Sequence, residues 1–309
     1  MSKVKVFLGF ILLLFGVIVF YLVFLNFQND TFGKIVSPLP NTYFWFSGVQ
    51  NIIKDSAKAP FVSATSAFAY DLTDEKILFD KNSSQKLPIA SLTKIMTAVV
   101  ALENPKKDDK YLVKSEDLVG ENSMGLEAGE VLSLKELLYG LILRSGNDTA
   151  ETLASNYPGG RIAFIAAMNK KAKDLGLKDT NFTNPTGLEG DGNQHSTAKD
   201  LVVITKYALD KFQSFRDVSK TFIYTIQASP THKAYIMENE TNLISSYPGV
   251  KGVKIGFTNE AGYCLVTYLE YGEHQIISVL LNSSDRRQEM KNLLDFSLKS
   301  LGVIPPQHI

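Results

Sequence analysis

The chain has 309 residues, 45% hydrophobic and 21% charged, with 32 basic and 32 acidic side chains and a formal net charge of zero. This balance suits one large globular domain or two small ones. A pI of about 6.9 argues against nucleic-acid binding through a basic surface. Cys264 is the only cysteine, which excludes an intrachain disulfide and leaves stability to the core. Its strand-like setting points to a buried structural thiol.

The first element is not globular. Val6 to Leu25 is an uncharged run of about twenty apolar residues, long enough at ~1.5 Å per residue to span a ~30 Å hydrocarbon core. Lys3 and Lys5 precede it and the next basic residue is Lys34, so the positive-inside rule predicts a cytoplasmic N-terminus and an extracytoplasmic remainder. A cleaved signal peptide is the competing reading. Against it, the run exceeds a usual signal core and Asn26-Phe-Gln-Asn-Asp30 offers no small-x-small cleavage site. The expected organisation is a cytoplasmic terminus over 1–5, a single transmembrane helix over 6–25, a linker over 26–59, a folded domain over 60–301 and a tail over 302–309. The linker's aromatic cluster, Tyr43 to Phe46, suits either a membrane interface or docking on the domain.

From Pro60 the chain reads as a structured domain. Ser66 to Leu72 and Lys76 to Asp80 read as a hairpin, followed by a helix from Ser91 to Glu103. A less regular region leads to Ser133, which forms a capping-box pattern with Glu136 ahead of an apolar helix over Leu134 to Leu143. Ser145-Gly-Asn147 then makes a tight connection to a helix from Asp148 to Ser155. Helical periodicity returns over Arg161 to Leu175 and Thr197 to Phe212, separated by the loop Asn184 to Asn193. Strands are predicted over Thr221 to Ile226, Val250 to Phe257, Gly262 to Tyr271 and Gln275 to Leu281, with a last helix over Asp285 to Leu301. Strands at both ends and helices between them predict one mixed, mostly antiparallel sheet of about five strands, flanked by helices and carrying a helical subdomain.

Three short motifs carry chemistry. In Ser91-Leu-Thr-Lys94, Pro88 places Ser91 near a helix start, and residues three apart share a helix face, so the Lys94 amine can reach the Ser91 hydroxyl. A serine beside a base is a candidate nucleophile. The spacing alone says little, since Ser2/Lys5, Ser83/Lys86 and Ser196/Lys199 repeat it, and an isolated match reads as an N-cap serine with a solvated lysine. Likewise, Ser145-Gly-Asn147 alone is a helix-connecting turn, and Lys254-Ile-Gly256 alone is a strand with a solvated lysine.

Together and in this order the motifs resemble the Ser-x-x-Lys, Ser-x-Asn and Lys-Thr-Gly set of penicillin-binding proteins and serine β-lactamases. The surrounding Pro88-Ile-Ala-Ser-Leu-Thr-Lys-Ile-Met-Thr97, Leu137-Leu-Tyr-Gly140, Ser145-Gly-Asn-Asp148, His195-Ser-Thr-Ala198 and Glu260-Ala-Gly-Tyr263 resemble the low-molecular-mass D-alanyl-D-alanine carboxypeptidases, peptidase family S11, over roughly Pro60 to Leu301. The resemblance implies an α/β DD-peptidase fold and an acyl-enzyme on Ser91, with Lys94 as base and Ser145 as proton relay. Asn147 would hold the substrate amide, Lys254 the terminal carboxylate, and the backbone N–H groups of Ser91 and Phe257 the oxyanion, with Gly256 and Thr258 beside them. It also implies peptidoglycan stem peptides as substrate and β-lactam antibiotics as inhibitors; separately, the lack of a metal-ligand motif and the single cysteine predict no cofactor.

Two departures stand out. Ile255 replaces the family threonine, whose hydroxyl contacts the substrate carboxylate, and losing such a bond costs about 1–3 kcal/mol. Thr258 matches another family threonine, but it lies three positions away on a strand that alternates faces. The second departure is a chain that stops about eight residues after its last helix, where many relatives carry a β domain and a C-terminal anchor; the N-terminal span would replace that anchor.

A serine β-lactamase is the nearest rival, although no Glu-x-x-Leu-Asn element lies between Asn147 and Lys254. A catalytically weak or inactive wall-binding homologue is another, resting on Ile255. A His-dependent hydrolase lacks Gly-x-Ser-x-Gly, and metal chemistry lacks His-Glu-x-x-His, so no metal ligand is assigned.

Overall fold

The computed structural model describes residues 59–241 and 243–308. The predicted span over 6–25 and all but the end of the linker lie outside them. Among the described residues no helix is long and apolar enough to cross a membrane. In chain order the elements are β1 (Ser66–Asp71), β2 (Lys76–Lys81), a 3₁₀ turn over Ala90–Thr93, α1 (Lys94–Glu103), β3 (Tyr111–Leu112), β4 (Val131–Leu132), α2 (Leu134–Leu143), α3 (Asn147–Ser155) and α4 (Gly160–Asp174). There follow α5 (Ala198–Lys211), α6 (Gln213–Ser219), β5 (Ile223–Ile226), β6 (Tyr235–Glu238), α7 (Leu243–Ser246), β7 (Val250–Thr258), β8 (Gly262–Tyr271), β9 (His274–Ser283) and α8 (Arg286–Ser300).

Five strands form one sheet in the order β2-β1-β9-β8-β7, and each neighbouring pair is antiparallel. The sheet is therefore antiparallel throughout rather than mixed. Short turns join β7 to β8 and β8 to β9, and such hairpins can pair only antiparallel. The first and last strands among the described residues meet where Phe68 of β1 pairs with Val279 of β9.

Alternate residues face opposite sides of a strand, and here both sides are buried. Phe68, Tyr70, Val266, Ile277, Val279 and Leu281 pack under the helical subdomain. Ala67, Ala69, Leu265, Leu269, Ile276 and Leu280 face α8 and its Met290, Leu293, Leu294 and Leu298. The result is three layers, helices on sheet on helix. Cys264 is buried on β8, and burial raises its thiol to about 11.

In the subdomain, α1 is buried from Lys94 to Ala101, as expected of a helix apolar on nearly every side. The predicted capping box starts α2: Glu136 N donates to Ser133 Oγ at 3.3 Å, and Ser133 N donates to the Glu136 carboxylate at 2.8 Å. The short β3, β4, β6 and α6 were not evident from periodicity, because two- to seven-residue elements show too few repeats of either pattern. Ser133→Ala is expected to lower stability by about 1 kcal/mol and Leu280→Ala by about 2–5 kcal/mol. Urea titrations of the two variants beside wild type check the ranking, and a cap loss as large as the core loss would contradict it.

Candidate active site

The predicted helix does not begin at Ser91. Ala90 to Thr93 form a 3₁₀ turn, and α1 starts at Lys94. This correction has a geometric consequence, because side chains three apart eclipse one another in a 3₁₀ turn, whereas in an α-helix they are offset. Lys94 Nζ accordingly lies 3.0 Å from Ser91 Oγ. The turn is entered through Ala90, which sits at φ +47°, a conformation that is costly for a residue with a Cβ.

Lys94 is wholly buried. Besides Ser91, its amine donates to Asn147 Oδ1 at 2.7 Å and to the Thr186 carbonyl at 2.6 Å. Burial, and then the charge of nearby Lys254, hold it well below the ordinary lysine range, because desolvation and a like charge both disfavour the ammonium. The two carbonyl oxygens can only accept. In the neutral amine two N–H groups serve them, and the lone pair faces the Ser91 hydroxyl.

Ser145-Gly146-Asn147 joins α2 to α3 from across the cleft. Ser145 has φ +55°, and its buried Oγ has no hydrogen-bond partner among the described residues. Gly146 is required there: a Cβ would meet Asp148 Oδ1 and Thr149 Oγ1 at 2.7 Å. Asn147 Nδ2 donates to Gly120 O at 3.4 Å. Asp148 fixes the facing loop by accepting from the N–H groups of Met124, Gly125 and Leu126, each at 3.0 Å.

The third wall is β7, at the sheet edge. Lys254 and Gly256 pair with Val266 and Cys264 and so share the helix-facing side with them. Lys254 Nζ is fully buried and without a hydrogen-bond partner, and burial lowers it to about 8. Gly256 lies against the 3₁₀ turn, where a Cβ would come within 3.1 Å of Ser91 N and Ile89 O. Phe257 is half exposed, its ring 4.8 Å from that of Tyr263. Thr258 Oγ1 accepts from Ala261 N at 3.1 Å. Ile255, paired with Leu265, takes the opposite face. There it lines a cavity of about 310 Å³ with Glu240, Tyr263 and Arg286.

Of the eight predicted site residues, Ser91, Lys94 and Asn147 thus form one hydrogen-bonded cluster. Lys254 faces it closely enough to depress Lys94, Gly256 abuts it, and Ser145 is two residues from Asn147. Phe257 and Thr258 continue outward along the strand.

The S11 family model, described as D-alanyl-D-alanine carboxypeptidase, matches residues 53–285. The chain belongs to this family. It is 36% identical over 254 residues to the D-alanyl-D-alanine carboxypeptidase DacF of Bacillus subtilis, a match spanning 78% of this chain and 64% of that protein's length. A D-alanyl-D-alanine endopeptidase of Pseudomonas aeruginosa is 33% identical over 227 residues, 72% of each chain. The crystal structure of the Streptomyces K15 DD-transpeptidase superposes with a TM-score of 0.73 at 31% identity, covering 78% of this chain and 99% of that one.

In this S11 domain several contributors carry no motif signal. Thr186 enters through the 184–194 loop, which is clamped to the base of α1: Thr97 Oγ1 donates to Pro185 O at 2.6 Å, and Gln194 Nε2 to Thr93 Oγ1 at 3.0 Å. Gly187, at φ +89°, passes so close to Ala90 that a Cβ would fall 2.0 Å from its carbonyl oxygen. Arg286 Nη1 donates to Gly256 O at 2.6 Å and ties α8 to the motif strand. The available signal was the glycine-rich sequence of the 184–193 loop. Away from the cleft, Asp71, Asp74 and His274 bring three possible metal-ligand atoms within 4.8 Å of one another; strand pairing assembles them, so sequence spacing could not show it.

Between its buried and ordinary values Lys254 is protonated in the unfolded chain and neutral in the folded one, so its own contribution to stability rises with pH from about 8 towards 10.5. Lys254→Met is expected to stabilise the protein by on the order of 2 kcal/mol at neutral pH, with the gain shrinking across that window. Denaturant titrations at several pH values check this, and a pH-independent difference would contradict it.

Proposed function

We propose that this chain is a serine-type carboxypeptidase that removes the terminal D-alanine from peptidoglycan stem peptides through an acyl-enzyme on Ser91. The single observation carrying the reading is the wholly buried Lys94 amine, 3.0 Å from Ser91 Oγ and bonded to the Asn147 and Thr186 carbonyls at 2.7 and 2.6 Å. A base whose pKa is brought towards operating pH is what activation of a serine requires.

Ser91 attacks the carbonyl between the two D-alanines while Lys94 takes the hydroxyl proton. The developing oxyanion is held by the N–H groups of Ser91 and Phe257, brought together by the close approach of Gly256 to the 3₁₀ turn. Ser145 delivers the proton to the departing D-alanine; its unpartnered Oγ leaves it available. Lys254 receives the terminal carboxylate, which favours cleavage at a free C-terminus. Asn147 orients both Lys94 and the substrate amide. Thr258 shapes the end of β7, its hydroxyl being engaged by the following turn. Ile255 faces α8 and takes no role in the proton path.

β-Lactam antibiotics, which offer a strained amide to the same serine, are the expected inhibitors. The apolar run over 6–25 supports a single-pass membrane location, with the catalytic domain on the outer side among its wall substrate.

Penicillin incubated with the full chain in mild detergent is expected to leave a lasting mass adduct that Ser91→Ala lacks. Rapid turnover of the drug would favour a β-lactamase, and no adduct on folded protein would sink the reading. Lys94→Met is expected to slow acylation by roughly 10²- to 10⁴-fold. In wild type the acylation rate should rise with pH as Lys94 loses its proton and fall above about 8 as Lys254 loses its charge. A rate flat across both limbs would remove these two lysines from the mechanism.

A further inference from the structure

We propose that Arg161 is a positioning residue for the Lys94 base: through Glu151 and Asp191 it balances a buried carboxylate one helical turn beyond Asn147 and ties down the loop that supplies the Thr186 carbonyl. This rests on the carboxypeptidase reading above, in which Lys94 must be neutral to accept the Ser91 proton.

Residues four apart lie on one face of a helix, so Glu151 shares with Asn147 the side of α3 that is turned to Lys94. Its side chain is only 8% exposed, and a carboxylate in such a place is costly without a partner. Among the described residues its side-chain hydrogen bonds come from Arg161, whose Nε donates at 2.8 Å and Nη2 at 3.2 Å to its two oxygens. The same Nη2 donates to Asp191 at 2.9 Å. A planar guanidinium can bridge two carboxylates in this way, whereas a lysine ammonium offers no fixed fork. Gly159 and Gly160, both at positive φ, turn the chain from α3 into α4 and set Arg161 opposite Glu151.

Asp191 belongs to the loop that carries Thr186. Thr97 and Gln194 hold that loop against α1, and Arg161 is its tie to α3 on the solvent side. One side chain thereby joins the two segments that supply the carbonyl acceptors of Lys94.

The charges acting on Lys94 are Lys254 from β7, Glu240 from the segment after β6, and Asp148 and Glu151 from α3. Lys254 disfavours the ammonium and the three carboxylates favour it. Asp148 is engaged by N–H groups of the facing loop, and Glu240 shares its cavity with Arg286. Glu151 is the one met by a bidentate guanidinium. A cavity of about 460 Å³ beside that pair is lined in part by Lys114, Glu116 and Asp117. There Lys114 Nζ lies 4.0 Å from Glu116, and Asp117 accepts from Ser155 Oγ at 2.9 Å. Arg161 is left as the cation that answers Glu151.

The test is the pH dependence of penicillin acylation of the full chain in mild detergent, followed by intact mass, in wild type and four variants. In Arg161→Met the unmasked carboxylate favours the Lys94 ammonium, and the acid limb is expected about half a pH unit higher, a roughly threefold slower acylation on that limb. In Glu151→Gln the unanswered guanidinium acts the other way, and the limb moves to lower pH. The two displacements cancel in Glu151→Gln/Arg161→Met. Arg161→Lys keeps a cation in place and leaves the limb where wild type has it. Variants that are slower at every pH with the limb unmoved, or single variants displaced in the same direction, would overturn the inference while leaving the carboxypeptidase reading intact. If Arg161→Met does not fold, Glu151→Gln decides alone, and a limb that stays or rises counts against the proposal. Wild type that takes up no penicillin would sink the carboxypeptidase reading and this inference with it.

Discussion

The burial of Lys94 sets the terms for the rest of the cleft. An amine with no solvent access is costly as an ammonium, and its neutral form still needs partners for its hydrogens. The two carbonyl acceptors, Asn147 Oδ1 at the start of α3 and Thr186 O in a long loop, and the Ser91 hydroxyl one turn away come from three separate segments. Holding all three at hydrogen-bond distance requires the 3₁₀ turn before α1, the tight α2–α3 connection, and a loop pinned to α1 through Thr97 and Gln194. The second buried lysine, Lys254, tightens the constraint, because its charge makes an ammonium at Lys94 still less favourable.

The sheet supplies the fixed side of the cleft. Its strands are buried on both faces, so register is strongly specified, and the pairing of Lys254 with Val266 and Gly256 with Cys264 decides which motif residues face the serine. Two glycines allow the close approach. Gly256 on β7 and Gly187 on the loop both press on the backbone of Ala90 and Ser91, and any side chain would push them away. Arg286 adds a tie from α8 to the carbonyl of Gly256.

The same register explains the one break in the motif. Ile255 pairs with Leu265 and packs towards α8, in a cavity it shares with Arg286. An apolar side chain suits that position, and the buried polar cluster around Lys94 is complete without a hydroxyl there. The departure thus bears on the chemistry of the Arg286 cavity rather than on the proton path from Ser91.

The sequence by itself determined the major strands and helices of the domain to within a few residues, the capping box at Ser133, the buried Cys264 and the residues that gather around Ser91. These follow from local rules: hydrophobic period, capping chemistry, and motifs whose members have fixed jobs. It did not reveal the 3₁₀ start at Ala90, because helical propensity is nearly blind to the difference between i+3 and i+4 bonding over one turn. Nor did it reveal Thr186 as a ligand of Lys94, since a backbone carbonyl has no side-chain identity to read. The face of Ile255, the contact of Gly187 with Ala90 and the tie from Arg286 were decided only by tertiary structure. Each depends on the register of paired strands or the packing of segments distant in the chain, and neither is written in the spacing of residues along it.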